Sequence, residues 1–176
     1  IESAKAWYHR GEVYLGIFGS EEYASLADDP LGVALESYVR SIELDTKNDF
    51  SDDSKRKVLS AQANIYNRGV ESYMAKDFAK ALKDFELLLV YQPEDTSILF
   101  NAALAAEKLE DNKKAAKYFN ALLDADYKKP AIYQTSAHMA KDEKDTAKAL
   151  VYLSDGRKEF PNEVGLVIDE LNIYLL

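Results

Sequence analysis

A constant interval between small side chains is the feature of this sequence that most limits its fold. Ala81, Ala115 and Ala149 are equally spaced, and Gly69, Ala103 and Ala137 share the same spacing, about 34 residues. An aspartate precedes each member of the first series by four positions, and a large apolar residue follows it by four: these are Asp77, Asp111 and Asp145, and Phe85, Phe119 and Leu153. A period of this length indicates a solenoid in which stacked hairpins share one continuous core.

Each recurring position has a role in a hairpin of two helices. A small residue in the first helix lets the second helix approach closely, whereas a larger one costs roughly 1–3 kcal/mol through overpacking. We expect the large apolar residues to fill the space between neighbouring hairpins. The aspartates precede the second helices, where a side-chain oxygen accepts an amide hydrogen bond worth about 1 kcal/mol. Pro93 and Pro161, which are separated by twice the period, are expected to end second helices.

The composition favours helix and argues against several kinds of partner. Only seven of the 176 residues are glycine and four are proline, whereas 47% are hydrophobic, so we expect an all-helical chain with a buried core. The net charge of -9 repels phosphate backbones and anionic lipid headgroups, which argues against nucleic acid and membrane surfaces as partners. The longest apolar runs, such as residues 87–91, fall far short of the roughly 20 residues that membrane insertion of a helix requires.

No set of residues in the sequence fits a catalytic or metal site. The chain has no cysteine, which excludes disulfides, thiolate ligands and cysteine nucleophiles. Its two histidines, His9 and His138, belong to the first and fourth hairpins and are not expected to share a metal or a proton relay. Adjacent carboxylates such as Glu21 and Glu22 lie in a solvated loop, and residues 45–53 lack the spacing of a calcium-binding loop. We therefore predict no enzyme activity, no cofactor and no metal, and the sequence contains none of the common nucleotide-binding, hydrolase or zinc-protease motifs.

The recurring positions make the chain resemble the tetratricopeptide-repeat (TPR) family, of the bacterial type. The W-x3-G-x2-Y part of that family's pattern matches Trp7, Gly11 and Tyr14, and its A-x3-F part is matched by Ala34 and Tyr38. The resemblance covers nearly the whole chain. It implies an all-α, right-handed superhelical solenoid of antiparallel helix pairs, with about four repeats and a further C-terminal helix.

The resemblance predicts a single domain of repeats over residues 1–176. The boundaries are 1–46 for repeat 1 with an insertion at 18–30, 47–61 for a connector and helix extension, 62–95 for repeat 2, 96–129 for repeat 3, 130–161 for repeat 4, and 162–176 for the first helix of a next repeat or a cap. Pro30 after Asp29 predicts that a helix begins at the end of the acidic insertion. Residues 48–53 have the chemistry of a turn, and residues 54–62 are expected to extend the first helix of repeat 2 by two turns or more.

In the family that the chain resembles, the first helices line a concave groove, and residues one and two positions after the bulky inward residue point into it. The inward residues here are Trp7, Ile65, Leu99 and Tyr133. The partner-binding groove predicted in this way comprises Tyr8, His9, Glu12, Tyr66, Asn67, Val70, Tyr73, Phe100, Asn101, Leu104, Gln134 and His138. Its aromatic rings are expected to contact apolar side chains of a peptide, and its asparagines to bond the peptide backbone. The alternative is that the same rings pack on adjacent helices or on the insertion.

Some members of the family grip a C-terminal carboxylate with a clamp of lysine and asparagine side chains. Asn67 and Asn101 fit such a clamp, but Ala63, Ala131 and Thr135 stand where it needs basic side chains. Because charge-assisted hydrogen bonds are about twice as strong as neutral ones, we do not expect the clamp in this chain.

These features predict a scaffold for protein–protein interaction that binds a peptide or protein partner in a concave aromatic groove. The alternative is a structural, self-assembling element that forms homo-oligomers through an open C-terminal helix, because Tyr174, Leu175 and Leu176 give that helix an apolar end. We expect either that the native chain continues beyond this helix or that the helix docks on another copy. The lack of cysteine and of a starting methionine leaves the compartment undetermined, and it fits an exported, periplasmic bacterial protein better than a cytoplasmic one.

Overall fold

The computed structural model describes residues 3–175, apart from the side chain of Ala24. Within that range the regular elements are α-helices and one short 3-10 helix, Ala24–Leu26, which confirms the all-α prediction. The helices are α1 (Ala4–Phe18), α2 (Pro30–Leu44), α3 (Ser51–Met74), α4 (Phe78–Tyr91), α5 (Thr96–Lys108), α6 (Asn112–Asp124), α7 (Pro130–Asp142), α8 (Thr146–Glu159) and α9 (Val164–Tyr174). The predictions that involve Ile1 and Leu176 lie outside the described residues.

The helices form two compact units. The N-terminal unit contains α1 to α4 and ends at Tyr91, and the C-terminal unit contains α5 to α9 and begins at Gln92. In the N-terminal unit α1 packs on α2, α2 on α3 and α3 on α4. In the C-terminal unit α5 packs on α6 and α7 on α8, while α9 packs on both α8 and α7.

Close contact between paired helices explains the constant spacing of small residues. Ala81, Ala115 and Ala149 are fully buried, as the prediction requires. A Cβ atom added at Gly69 would lie 2.9 Å from Cε1 of Phe85, and one at Gly11 would lie 2.6 Å from Cε1 of Tyr38. The ring of Phe85 therefore fills the space inside its own hairpin, against Gly69, where the sequence had suggested a place between hairpins.

The predicted helix caps are present. Oδ1 of Asp77, Asp111 and Asp145 accepts a hydrogen bond from the backbone amide three residues later, at 3.2, 3.1 and 3.0 Å respectively. The residue before each aspartate has a left-handed backbone: φ is 64° at Lys76, 57° at Glu110 and 64° at Lys144. In each turn the aspartate amide bonds a carbonyl five residues earlier, for example Asp145 N to Ala140 O at 2.8 Å. These turns therefore satisfy the last carbonyls of one helix and the first amides of the next.

Each of the two departures from the repeat is followed by a defined helix start. Asp29 caps α2 by accepting from the Gly32 amide at 3.2 Å, and Pro30 is the first helical residue. Helix α3 begins at Ser51, so residues 51–53, expected in a turn, form its first turn. The carboxylate of Asp45 explains this, because it accepts hydrogen bonds from the amides of Phe50 and Ser51, both at 2.7 Å.

Candidate functional site

The predicted groove residues of α1 contact the extended N-terminal part of α3. The hydroxyl of Tyr8 donates to Oδ2 of Asp53 at 2.5 Å, and its ring centroid lies 5.2 Å from that of Phe50. Oε1 of Glu12 accepts from Lys57 Nζ at 3.0 Å. His9 is exposed beside these residues. These residues of the predicted groove therefore contact the chain's own connector and helix extension.

The same contacts shift the pKa values of titratable side chains on α1 and α2. The hydrogen bond to Asp53, followed by burial, raises the pKa of Tyr8 to about 12. Burial and the hydrogen bond to Glu12 raise the pKa of Tyr38. Burial of Glu12 opposes ionisation, but the hydrogen bonds from Tyr38 and Lys57 outweigh it, so the pKa of Glu12 lies below its usual value. The phenols remain protonated donors and the carboxylates charged acceptors at neutral pH.

The predicted site residues of α3 that follow Ile65 lie beside α4. The Tyr66 ring meets Phe85 edge-on at 5.9 Å between centroids, and the Tyr73 ring meets Phe78 at 5.2 Å. Both tyrosines are half-buried, as is Val70, and Asn67 is exposed. Each ring thus packs on α4 and also keeps part of its surface open to solvent.

A partly buried ion triad in the N-terminal unit was not foreseen from the sequence. Arg68 donates to both carboxylate oxygens of Asp84, at 2.9 and 2.6 Å, and to Oδ1 of Asp29 at 3.0 Å. Burial disfavours the charge on Arg68, but the hydrogen bonds and charges of the two aspartates raise its pKa. One signal was available, because Asp84 stands on the buried face of α4 between Ala81 and Phe85, where a charged residue requires a cation.

In the C-terminal unit, α5 supplies Phe100, Asn101 and Leu104, all half-buried. The Phe100 ring centroid lies 6.2 Å from that of Tyr127, and Nζ of Lys129 lies 5.2 Å from the first ring and 4.7 Å from the second. Asn101 Nδ2 donates to the carbonyl of Ser97 at 3.0 Å. Phe100 therefore belongs to a small aromatic cluster with a lysine ammonium beside it.

The predicted residues of α7 contact α9. Gln134 Nε2 donates to Oδ2 of Asp169 at 2.8 Å, and Nε2 of His138 lies 3.4 Å from Oδ1 of the same residue. His138 is largely exposed, whereas Asp169 is mostly buried. These contacts connect the predicted groove face of α7 to the last helix.

A cleft of about 340 Å3, termed here the α5–α7 cleft, opens beside His138 in the C-terminal unit. Its lining consists of Glu107, Glu110, Asn112, Thr135, His138, Met139 and Asp142. Three of these side chains are carboxylates, and Met139 is buried. Between residues 3 and 175, no group of three or more histidine or acidic side chains is arranged to hold a metal ion. In the same range no helix is long and apolar enough to cross a membrane.

Comparisons with known proteins place the chain by its fold. No protein-family model matches the chain, and no curated protein matches it in sequence. MamA from Desulfovibrio magneticus RS-1 (residues 41 to the end) is similar with a TM-score of 0.53 and 18% identity, over 91% of this chain and 97% of that one. A tetratricopeptide repeat protein from Parabacteroides merdae has a TM-score of 0.51 and 17% identity, over 93% of this chain and 73% of that one.

A third similar structure is the TPR2AB domain of yeast Sti1 in a complex with pHSP90. Its TM-score is 0.53 at 18% identity, and the match covers 98% of this chain and 68% of that one. Identities this low establish architecture and leave function open. Small residues recur at a constant spacing, and paired helices come into close contact at Gly11 and Gly69. Together with these similar structures, this shows that the chain has the tetratricopeptide-repeat fold.

Proposed function

We propose that the chain is a non-catalytic protein-interaction module that binds an extended segment of a partner protein. The observation that carries this proposal is the α5–α7 cleft, which opens between two first helices and includes His138, one of the predicted groove residues. Concave sites where several polar groups converge are places where proteins commonly bind ligands.

The charge of the cleft favours a basic side chain as its occupant. Glu110 and Asp142 have no basic side chain within 4.0 Å in the described part of the chain, and Glu107 is paired only with its neighbour Lys108, at 3.9 Å. By contrast, Glu159, Glu170 and Asp155 on other surfaces of this unit are paired with lysine or arginine. A lysine or arginine of the partner would offset the excess negative charge and lay its aliphatic stem over Met139.

Apolar contacts with the partner segment are assigned to α5. Leu104 and Phe100 lie one and two turns before the cleft on this helix, and both keep part of their surface open to solvent. In the N-terminal unit Tyr66 and Tyr73 have the same half-buried character. Aromatic residues at such positions contribute much of the binding free energy because they desolvate a large area at a low cost in conformational entropy.

The complex of the Sti1 TPR2AB domain with pHSP90 supports a peptide as the ligand class, because a domain of this fold is there bound to another protein. The side chains of this chain favour an internal segment of the partner over the partner's free C-terminus. Ala63, Ala131 and Thr135 leave a terminal carboxylate without cations, so an internal basic and apolar segment is the better fit.

Selection of short random peptides displayed on phage against the whole chain tests this function. We expect enrichment of peptides that combine lysine or arginine with aromatic or aliphatic residues. The Glu110→Gln/Asp142→Asn variant should bind a selected peptide at least about tenfold more weakly, or about 1.4 kcal/mol. The matched control, Glu21→Gln/Glu22→Gln, makes the same charge change in the loop before α2. Equal weakening by both variants, or none by the first, would show that the cleft is not the site.

A further inference from the structure

Helix α9 has a continuous aliphatic face that points away from the helices it packs on. Val164, Ile168, Leu171 and Leu175 follow one another at intervals of four, three and four positions, and their exposed fractions run from 51% to 82%. Leu166, on the opposite side, is completely buried in a core cluster with Tyr133 and Leu153. We call these four residues the α9 stripe.

The position of Leu171 shows that the α9 stripe differs from the corresponding face of the earlier first helices. It lies one repeat period after Ala137, in the series that begins with Gly69 and Ala103. At Gly69 even one added Cβ atom would come within 2.9 Å of Phe85 on the paired helix. A leucine at this position keeps a second helix from approaching α9 as closely as α8 approaches α7.

The stripe is also apolar where the equivalent face of α7 is mixed. The residues one repeat period earlier are Pro130, Gln134, Ala137 and Lys141. Large aliphatic side chains at alternating intervals of three and four are typical of a coiled-coil contact between two equivalent helices. The stripe therefore matches a second helix with a similar stripe better than it matches a second helix of the repeat.

The acidic residues of α9 do not oppose such a contact. Asp169 is bound by Gln134 and His138 of α7, and Glu170 is paired with Arg157 of α8. Both carboxylates are mostly buried on the sides of the helix that face α7 and α8. Despite the net charge of -9, neither carboxylate of α9 lies unpaired within the stripe.

We infer that the α9 stripe binds the same stripe of a second copy of this chain, with the two α9 helices antiparallel about a two-fold axis. In this arrangement Ile168 lies opposite Leu171 of the second copy, and Val164 lies opposite Leu175 of the second copy. Closed two-fold pairs of this kind are the commonest oligomers. The stripe, with Tyr174 and the exposed Val151 of α8 beside it, is smaller than the about 800 Å2 per partner of a standard interface, so the dimer is weak and reversible.

Sedimentation equilibrium of the whole chain over a series of micromolar concentrations tests the dimer. We expect a monomer–dimer equilibrium, and a dissociation constant at least tenfold higher for Leu171→Ala. This variant is suitable because alanine occupies the same position in α5 and α7 and is compatible with the fold. Far-ultraviolet circular dichroism of the variant checks that its helices are retained. A single monomeric species at every concentration, or unchanged association of a folded Leu171→Ala variant, would overturn the inference.

Disulfide trapping tests the antiparallel arrangement. The chain has no cysteine, so an introduced thiol is the only one present. An equal mixture of Ile168→Cys and Leu171→Cys chains should give more cross-linked dimer than either variant alone, because these positions face each other only in the antiparallel pair. Val13→Cys, on the exposed surface of α1, is the control for random collision. Cross-linking of the mixture no higher than that of the separate variants would contradict the arrangement.

Discussion

The guanidinium of Arg68 donates a bidentate pair of hydrogen bonds to the carboxylate of Asp84, at 2.9 and 2.6 Å, inside the N-terminal unit. Asp84 is only 2% exposed. The third partner, Asp29, is also the N-cap of α2. One arginine thus joins the end of the acidic insertion to the pair α3 and α4.

Removing one partner of this triad should be costly. Arg68→Met leaves Asp84 buried without a cation, and we expect a loss of about 3 kcal/mol in the free energy of unfolding, measured by urea denaturation. In the double variant Arg68→Met/Asp84→Leu the unpaired charge is gone, so most of the loss should be recovered. A single variant as stable as the original chain would mean that the triad contributes little.

Glycine should stabilise the turn between α7 and α8. Lys144 has a φ of 64°, a conformation that glycine adopts without the steric cost of a Cβ atom. We expect Lys144→Gly to raise the free energy of unfolding by roughly 0.5–1 kcal/mol. Lys83→Gly is the matched control: Lys83 is exposed in the middle of α4, and the same substitution there should lower stability by about 1 kcal/mol. Equal effects at the two positions would contradict the argument from backbone conformation.

The cap of α3 by Asp45 should appear as a pH dependence of stability. Partial desolvation opposes ionisation of this carboxyl, but hydrogen bonds from Phe50 and Ser51 lower its pKa to about 2. Its contribution is therefore complete above an ordinary value near 4 and is lost as the pH falls from about 4 to about 2. Asp45→Asn should be less stable than the original chain at pH 7, and the difference should shrink over that interval. Asp28→Asn, in the exposed loop, should show no such convergence.

Binding of a selected peptide should depend on the half-buried rings of Phe100 and Tyr127 in the C-terminal unit. We expect Phe100→Ala to weaken binding by about 2 kcal/mol, or roughly thirtyfold, in a fluorescence anisotropy titration. The Phe100→Ala/Tyr127→Ala variant, which removes both rings of the cluster in the C-terminal unit, should abolish capture of the peptide without a change in oligomeric mass. Tyr23→Ala, an exposed ring in the loop before α2, serves as the control. Capture that survives the double substitution would indicate that these rings only pack within the chain.

Local features of the fold could be predicted because each depends on residues of one repeat. The contact at Gly69, the caps at Asp77 and Asp111, and the helix start at Pro30 require only a hairpin and a small set of side-chain preferences. The contact and the caps recur in successive repeats, so the period itself identifies them. The start of α3 was harder to predict from the sequence, because it depends on Asp45, which lies outside the helix.

Contacts between residues that do not recur in the repeat could not be predicted from the repeat period. Tyr8 bonds Asp53, far along the chain, because the extension of α3 lies against α1. Asp169 meets Gln134 and His138 only after α9 packs on α7. The α5–α7 cleft likewise combines side chains from two separate stretches of the chain, residues 107–112 and 135–142. The predicted groove positions do not indicate which carboxylates remain without a cation.

The contact between His138 and Asp169 connects the α5–α7 cleft to helix α9. His138 belongs to the lining of the α5–α7 cleft, and Asp169 belongs to the helix that carries the aliphatic stripe. A ligand that draws the imidazole away from Asp169 would loosen one anchor of α9. Occupancy of the cleft and self-association would then be linked, and thermodynamic reciprocity requires each to alter the other's equilibrium constant by the same factor.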